Sequence, residues 1–170
     1  MTKETPMKKL YIQQAVFKIT DHYPIFNEKE EPVYYVDQEF QFVGKFYNVT
    51  NAKGDLVFTI ERGFAFLLPV YTITFVSGET IKIRTNFTFF RHSFDIEIED
   101  FTLYVEGDFF AHNYSLYSEG AELASINKKW LTWGDTYEIS IYDETFIDLS
   151  VAVLIAVDEL IDTQSKNSSS

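Results

Sequence analysis

The stretch TFIDLSVAVLIAVDELID, residues 145–162, decides the fold of this chain. On a helix at about 100° per residue, its four acidic side chains fall in one narrow stripe, and between Phe146 and Asp162 the only other polar residue is Ser150. Most of the circumference is apolar, so the segment does not suit a surface as an ordinary amphipathic helix. Val- and Ile-rich sequence is weak as an isolated helix, so tertiary packing must stabilise it.

Such a helix can lie either in a membrane or in a protein interior. About 16 residues give about 24 Å of helix, which is short of the ~30 Å hydrocarbon core of a bilayer. The acidic stripe would also be costly in lipid. We therefore expect a buried helix over about 145–162, started by a capping box from Thr145 to Asp148, and a disordered Ser- and Asn-rich tail over 163–170.

The sequence before this helix repeats one hairpin unit. An apolar residue is followed, eleven positions later, by a triplet that begins with an aromatic residue and ends with an aliphatic one. The apolar residues are Val36, Ile60, Ile83 and Ile126, and the triplets are 47–49, 71–73, 94–96 and 137–139. Turn-forming residues at 51–55, 77–79 and 118–120 separate the units.

Alternation within the strands indicates how the sheet is buried. In residues 94–99, FDIEIE, the apolar side chains share one face and the carboxylates the other. One wet face and one buried face indicate antiparallel strands. Roughly ten to twelve such runs predict a mostly-β domain that closes into a barrel or splits into a sandwich around the helix.

Composition excludes several classes of function. The 170 residues suit one domain, and 26 acidic against 14 basic residues give a net charge of −12, which repels nucleic acid. The absence of cysteine excludes disulfides, cysteine-bound metals and thiol catalysis, and it suits the cytoplasm. Residues 1–7 are expected to be disordered and no signal-peptide core follows them, while the apolar run Val151–Val157 is too short for a transmembrane segment.

Three stretches carry a family resemblance. They are VEGDFFAHNY at 105–114, INKKWLTWGDTYEI at 126–139 and VLIAVD at 153–158. In this order and spacing the chain resembles the LURP-one-related proteins of the tubby C-terminal-like superfamily, in their short bacterial form, from about Lys8 to Asp162. The resemblance implies one domain over 8–162, built as a closed antiparallel barrel of about twelve strands around a hydrophobic C-terminal helix.

The resemblance carries over no activity. Tubby proteins bind phosphoinositides through clustered basic residues, and that motif has no match in this sequence. Phospholipid scramblases carry a Cys-rich segment and a membrane-inserting helix, whereas this chain has no cysteine. For the short bacterial members, the resemblance brings no established activity.

Candidate chemical groups are scattered along the chain. His22, His92 and His112 lie on different predicted hairpins without metal-ligand spacing, so we interpret them as surface histidines. The carboxylates of Asp95, Glu97, Glu99 and Asp100 are interpreted as a solvated strand face rather than a calcium site. Nucleophile elbows, dinucleotide-binding motifs and phosphate loops are missing. We therefore predict no catalytic, metal or cofactor residues.

A surface patch is the one speculative site. Trp130 and Trp133 beside two lysines could anchor at a membrane interface or stack on a ligand, but a structural hairpin explains them better. With three further cations they could form a lipid-binding patch. The complete set is Lys82, Arg84, Arg91, Lys128, Lys129, Trp130 and Trp133.

Three functions compete on this sequence. The first is a non-enzymatic binding or scaffold protein with an unknown protein partner, because a helix inside the sheet leaves no lumen for a ligand. The alternative is weak binding to phosphoinositide headgroups or an anionic membrane surface through the patch. An enzyme is the third, disfavoured because no nucleophile–base pair is visible.

Overall fold

In a computed structural model of the chain, the described residues are 5–13, 21–40, 44–65, 68–87, 94–99, 102–109, 111–132 and 134–168. They form a mostly-β domain with one helix near the C-terminus. The strands are β1 (Lys8–Gln13), β2 (His22–Asn27), β3 (Pro32–Phe40), β4 (Lys45–Asn51), β5 (Leu56–Ala65), β6 (Leu68–Phe75), β7 (Thr80–Phe87), β8 (Phe94–Ile98), β9 (Leu103–Asp108), β10 (Asn113–Ser118), β11 (Ala121–Leu131) and β12 (Gly134–Ile141). A 3₁₀ turn (Glu144–Phe146) and the helix α1 (Ile147–Ser168) follow.

The strands belong to one antiparallel sheet in the order β8-β7-β6-β5-β4-β3-β2-β1-β12-β11-β10-β9. Apart from β8 and β9, strands that follow one another in sequence are hydrogen-bonded neighbours, and β1 also pairs with β12. The edges are β8 and β9, and within the described residues no ladder joins them. The predicted antiparallel sheet is confirmed, whereas its closure into a complete barrel is not.

The register explains the hairpin repeat seen in the sequence. In three units the apolar residue lies opposite the aliphatic end of its triplet, as in Val36↔Val49, Ile60↔Ile73 and Ile126↔Ile139. The fourth unit differs, because Ile83 lies opposite Ile98 and not Ile96. Two of the aromatic openers, Tyr47 and Tyr71, have an isoleucine partner on the following strand, in the pairs Tyr47↔Ile60 and Tyr71↔Ile83.

Helix α1 lies inside the curled sheet and contacts β5, β6 and β7 on one side and β11 and β12 on the other. Every residue from Val151 to Asp158 is buried, together with Leu160 and Ile161. The predicted buried helix is therefore confirmed. In the described part of the chain, no helix combines the length and low charge that a bilayer span requires.

Both ends of the helix differ from the prediction. Asp143 caps the 3₁₀ turn, since its carboxylate accepts a hydrogen bond from the Thr145 amide, and the α-helix begins at Ile147, two residues after the expected cap Thr145. The C-terminal tail expected to be disordered continues the helix to Ser168. Burial of Leu160 and Ile161 holds the preceding turn, and the Thr163 hydroxyl donates to the Glu159 carbonyl, so the helix propagates onward.

The helix gives the sheet two distinguishable ends. The end where α1 begins is called the entry end, and it carries the β4–β5 and β6–β7 turns. The end where α1 leaves the sheet is called the exit end, and it carries the starts of the even-numbered strands. These two ends and the outer face are the surfaces on which function can lie.

Candidate functional site

The exit end contains a ring of buried tyrosines around the acidic part of α1. Each comes from near the start of an even-numbered strand, which places their side chains at a common level of the sheet. The members are Tyr23, Tyr47, Tyr71, Tyr114 and Tyr137. Their rings contribute large apolar area, while their hydroxyls bring polar groups close to Asp158 and Glu159.

Burial controls the ionisation of these tyrosines. It raises the pKa of Tyr23 well above its ordinary value, and the nearby Glu159 and Asp158 carboxylates raise it further. Burial likewise raises the pKa of Tyr114 and of Tyr47, next to Asp158 and Glu159 respectively. The phenols therefore stay neutral, so the ring offers neither a phenolate base nor a phenolate nucleophile near neutral pH.

Two close side-chain contacts to carboxylates join the exit end of α1 to the sheet. Lys45 Nζ lies 3.1 Å from Glu159 Oε2, and His112 Nδ1 lies 3.0 Å from Asp158 Oδ1. The His112 and Asp158 side chains are only 13% and 3% exposed. The interpretation of His112 as a surface residue is therefore wrong, because its turn, at φ 52°, directs the ring inward against Tyr137.

The entry end contains an open pocket of about 320 Å³ between α1 and the β6–β7 hairpin. We call it the entry pocket. Its apolar wall consists of Val57, Phe75, Val76, Phe146 and Leu149. Polar groups at its rim come from Ser77, Glu79, Thr145 and Asp148. This composition is typical of a binding site, with an apolar floor and a few polar groups that orient what binds.

The two carboxylates of the entry pocket differ in their surroundings. Asp148 lies in the first turn of α1, where the helix dipole favours negative charge, and it accepts a hydrogen bond of 2.5 Å from the Tyr34 hydroxyl. That contact and, above all, burial raise the pKa of Tyr34. Glu79 lies exposed beyond the turn, and its carboxylate has no hydrogen-bond or ion-pair partner among the described residues.

Among the described residues, the free space beside the helix is small. A cavity of about 20 Å³ lies between α1 and strands β9 to β12. It is lined by Ser125, Ser150 and Val153, among others, and has room for about one water molecule. In the described part of the chain, the core is thus occupied by protein side chains rather than by a ligand-sized space.

The predicted lipid patch falls into two groups. Lys82 and Arg84 lie on β7 towards the entry end, and Arg84 pairs with Glu99 at 3.2 Å. Lys128, Lys129 and Trp130 lie on β11 towards the exit end, and in the order of the sheet the strands β6 to β1 and β12 lie between β7 and β11. The structure therefore does not bring these two groups together. Arg91 and Trp133 lie outside the described residues.

The β11 group is partly engaged in its own hairpin. Lys128 Nζ lies 2.9 Å from Asp135 Oδ2, and Trp130 lies opposite Asp135 in the register. The Trp130 side chain is nonetheless 80% exposed, and Lys129 is exposed beside it. An aromatic and a cation are therefore both exposed at this hairpin, although as consecutive residues of β11 their side chains leave the strand on opposite faces.

The other predicted groups do not converge into a chemical site. His22 is exposed and pairs with Asp37, while His92 lies outside the described residues. Of the carboxylate row, Glu99 is exposed and pairs with Arg84, and the side chains of Asp95, Glu97 and Asp100 are not described. Within the described ranges, no three His, Asp or Glu side chains gather as metal ligands would.

Sequence reasoning missed the entry pocket, although two signals pointed to it. The alternation of β6 ends with Phe75 and Val76 side by side, and β5 begins with Leu56, Val57 and Phe58 in a row. Neighbouring apolar residues in a strand must face opposite sides of the sheet, so one of them faces outward. The missed contact between His112 and Asp158 had no such signal, because the two residues are remote in sequence.

The fold and these sites define a class: antiparallel β proteins that enclose their own C-terminal helix. The sequence model of the LURP-one-related family matches residues 8–158. The chain belongs to the LURP-one-related family, as the resemblance in its sequence predicted.

Two known proteins are similar to this chain over most of its length. "Uncharacterized protein YxjI" of Bacillus subtilis (strain 168) is 27% identical over 155 residues, which cover 91% of this chain and 94% of that protein. A protein of Arabidopsis thaliana solved by X-ray crystallography is similar with a TM-score of 0.59 and 14% identity, over 91% of this chain and 92% of that one. The second likeness shows the fold alone.

Proposed function

We propose that this protein is a non-enzymatic binding protein, located in the cytoplasm, that engages a protein partner through its outer surface. The observation that supports this is the burial of Val151–Val157, by which the chain occupies its own interior. A small-molecule carrier of similar architecture needs that interior for its ligand. In this proposal the sheet closes into a barrel around α1 and serves as a rigid scaffold for its ends.

The exit-end chemistry supports the non-enzymatic part of the proposal. At the exit end, the Glu159 and Asp158 carboxylates of α1 contact Lys45 and His112 rather than an open cleft. The phenols around them stay neutral because burial raises their pKa. These groups are arranged to anchor a helix, and an enzyme would instead need a nucleophile and a base open to substrate.

Reconstitution with a purified partner tests this proposal. Native mass spectrometry of the purified chain should give the 19.8 kDa polypeptide without a retained small molecule. A partner isolated on the immobilised chain should form a stoichiometric complex when both purified proteins are mixed and measured by light scattering. A tightly retained small molecule in the interior would contradict the proposal, as would turnover of a substrate.

A second candidate function is association with anionic membrane surfaces or phosphoinositide headgroups. The exposed Trp130 and Lys129 on one hairpin favour it, because aromatic and cationic side chains combine at lipid interfaces. The net charge of −12 and the separation of β7 from β11 weaken it.

Liposome flotation decides between the two candidates. Vesicles containing phosphatidylserine at low salt should recover the chain if the membrane function is correct, and added salt should release it. Trp130→Ala should then lower the recovered fraction, with Phe64→Ala, which changes an exposed aromatic on β5, as the matched control. Equal recovery with neutral vesicles would reject electrostatic membrane binding.

A further inference from the structure

We infer that the entry pocket docks a partner protein by receiving an apolar side chain that is followed by a lysine or arginine. The inference rests on the proposed function, since it names the chemistry of the partner and the surface that it occupies. It is carried by three properties of the pocket: its apolar wall, its open shape and its unbalanced negative charge.

The apolar wall supplies the attraction for a side chain. Val76 is 68% exposed at the tip of the β6–β7 hairpin, and Phe146 and Leu149 of the facing segment are half-buried. Leu56, next in sequence to Val57 at the start of β5, is a further exposed apolar residue outside the lining of the pocket. Removing such surface from water stabilises a complex in proportion to the area covered.

The shape favours a protein anchor over a free small molecule. The pocket has a volume of about 320 Å³ but is open to solvent. A small-molecule site encloses most of the surface of its ligand. When a partner protein inserts an anchoring side chain into an open pocket, the surface around that side chain covers the rim of the pocket and excludes water from it.

The negative charge of the entry pocket determines which side chain of the partner follows the apolar anchoring side chain. The described lining contains the carboxylates of Glu79 and Asp148 and no lysine or arginine. Asp148 is already compensated by Tyr34 and the helix N-terminus, so Glu79 is the group left to pair with an incoming cation. The net charge of −12 also attracts basic partners at long range.

Model dipeptides test this chemistry on the full chain. The probes are N-acetyl-phenylalanyl-lysine amide and its glutamine and glutamate counterparts, titrated into the ¹⁵N-labelled protein. We expect saturable amide shifts at Val76, Ser77 and Leu149 with the lysine probe. The glutamine probe should bind about two- to fivefold more weakly, as expected for loss of one exposed ion pair, and the glutamate probe more weakly still.

Two variants and one control variant test whether the dipeptides bind in the entry pocket. Glu79→Gln should weaken the lysine probe by about two- to fivefold and leave the glutamine probe unchanged. Val76→Asp should remove the shifts of every probe, and its thermal unfolding should match the parent because Val76 lies exposed in a turn. Glu61→Gln changes an exposed carboxylate elsewhere on β5 and should alter neither titration.

The outcomes separate the inference from the proposed function. Absence of shifts with all probes, or equal binding of the lysine and glutamate probes, overturns the inference. A stoichiometric partner complex that forms equally well with Val76→Asp overturns it too, while leaving the proposed function standing. Loss of that complex in Val76→Asp, with Glu61→Gln unaffected, supports both.

Discussion

Gly107 illustrates how one residue can be constrained by a neighbouring strand. It lies in β9 opposite Tyr114 and has a φ of 146°. A Cβ at this position would come within 2.4 Å of the Asn113 carbonyl oxygen and 2.5 Å of Tyr114 Cα. Both neighbours are backbone atoms, so neither can move without disturbing the β9–β10 hairpin that carries His112.

Gly107→Ala should therefore destabilise the protein by at least about 1–3 kcal/mol, from backbone strain and the close contacts. Gly63→Ala is the matched control, because a Cβ there meets nothing within 4 Å and its backbone is not left-handed. The measurement is the free energy of unfolding in urea. Equal stability of the two variants would show that β10 does not lie against Gly107.

The contact between His112 and Asp158 shows why the sequence analysis wrongly interpreted His112 as a surface residue. The sequence shows a polar ring in a turn, which is most simply exposed. The structure places Asp158 of α1 within 3.0 Å of that ring, and this contact brings both side chains out of water. Residues 46 positions apart (158 − 112) acquire their relation only through folding.

At the scale of the element, the helix α1 depends on its surroundings for stability. Its Val- and Ile-rich sequence is a weak helix former, and its central side chains are buried on every side. Packing against the sheet therefore supplies the stability that the low helix propensity of this segment does not provide. The helix also continues beyond Asp162 to Ser168, which the sequence did not indicate.

Ile155 tests this dependence because its side chain is completely buried. We expect Ile155→Ala to lower the free energy of unfolding by about 2–5 kcal/mol and Ile155→Val by about 0.5–1.5 kcal/mol, in line with core substitutions. Urea unfolding monitored by circular dichroism measures both. A cost below about 1 kcal/mol for the alanine variant would place the helix outside a packed core.

At the scale of the whole molecule, the helix and the sheet should unfold together. A helix enclosed by strands on both sides cannot separate without opening the sheet. We expect hydrogen exchange at the amides of Val151–Val157 to require the same opening free energy as at β5 and β6. Faster exchange of the helix amides than of those strands would show that α1 opens independently.

The buried tyrosines give the whole molecule a predictable response to alkali. Burial raises the pKa of Tyr23, Tyr47, Tyr71 and Tyr114 above the ordinary value of 10.0. Above that pH the unfolded chain loses phenol protons that the folded chain keeps, so stability is retained below about pH 10 and falls above it. Each buried tyrosine contributes up to about 1.4 kcal/mol per pH unit.

Thermal unfolding measured between neutral and strongly alkaline pH checks this response, with phenolate absorbance followed in parallel. Phenolate from the buried tyrosines should appear together with loss of structure. Tyr71→Phe should reduce the slope of stability against pH by up to about 1.4 kcal/mol per pH unit, whereas Tyr35→Phe, on the outer face of β3, serves as control. Ionisation of all tyrosines in a still folded chain would contradict the buried ring.

The sequence by itself determined the elements of this protein. Alternation defined the strands, turn residues separated them, a period of 3.6 with an apolar circumference defined the helix, and the quoted motifs predicted the family. These features are local. The residues that form each pattern are near one another in the sequence, and their side chains lie on the same face of a single strand or helix.

Only the tertiary structure decided which remote residues meet. It separated the cations of β7 from those of β11, brought His112 to Asp158, shifted the register of Ile83 and formed the entry pocket from three elements. Such contacts depend on how far a sheet curls and where the helix stops within it. Both follow from the summed packing of the core, which no short stretch of sequence encodes.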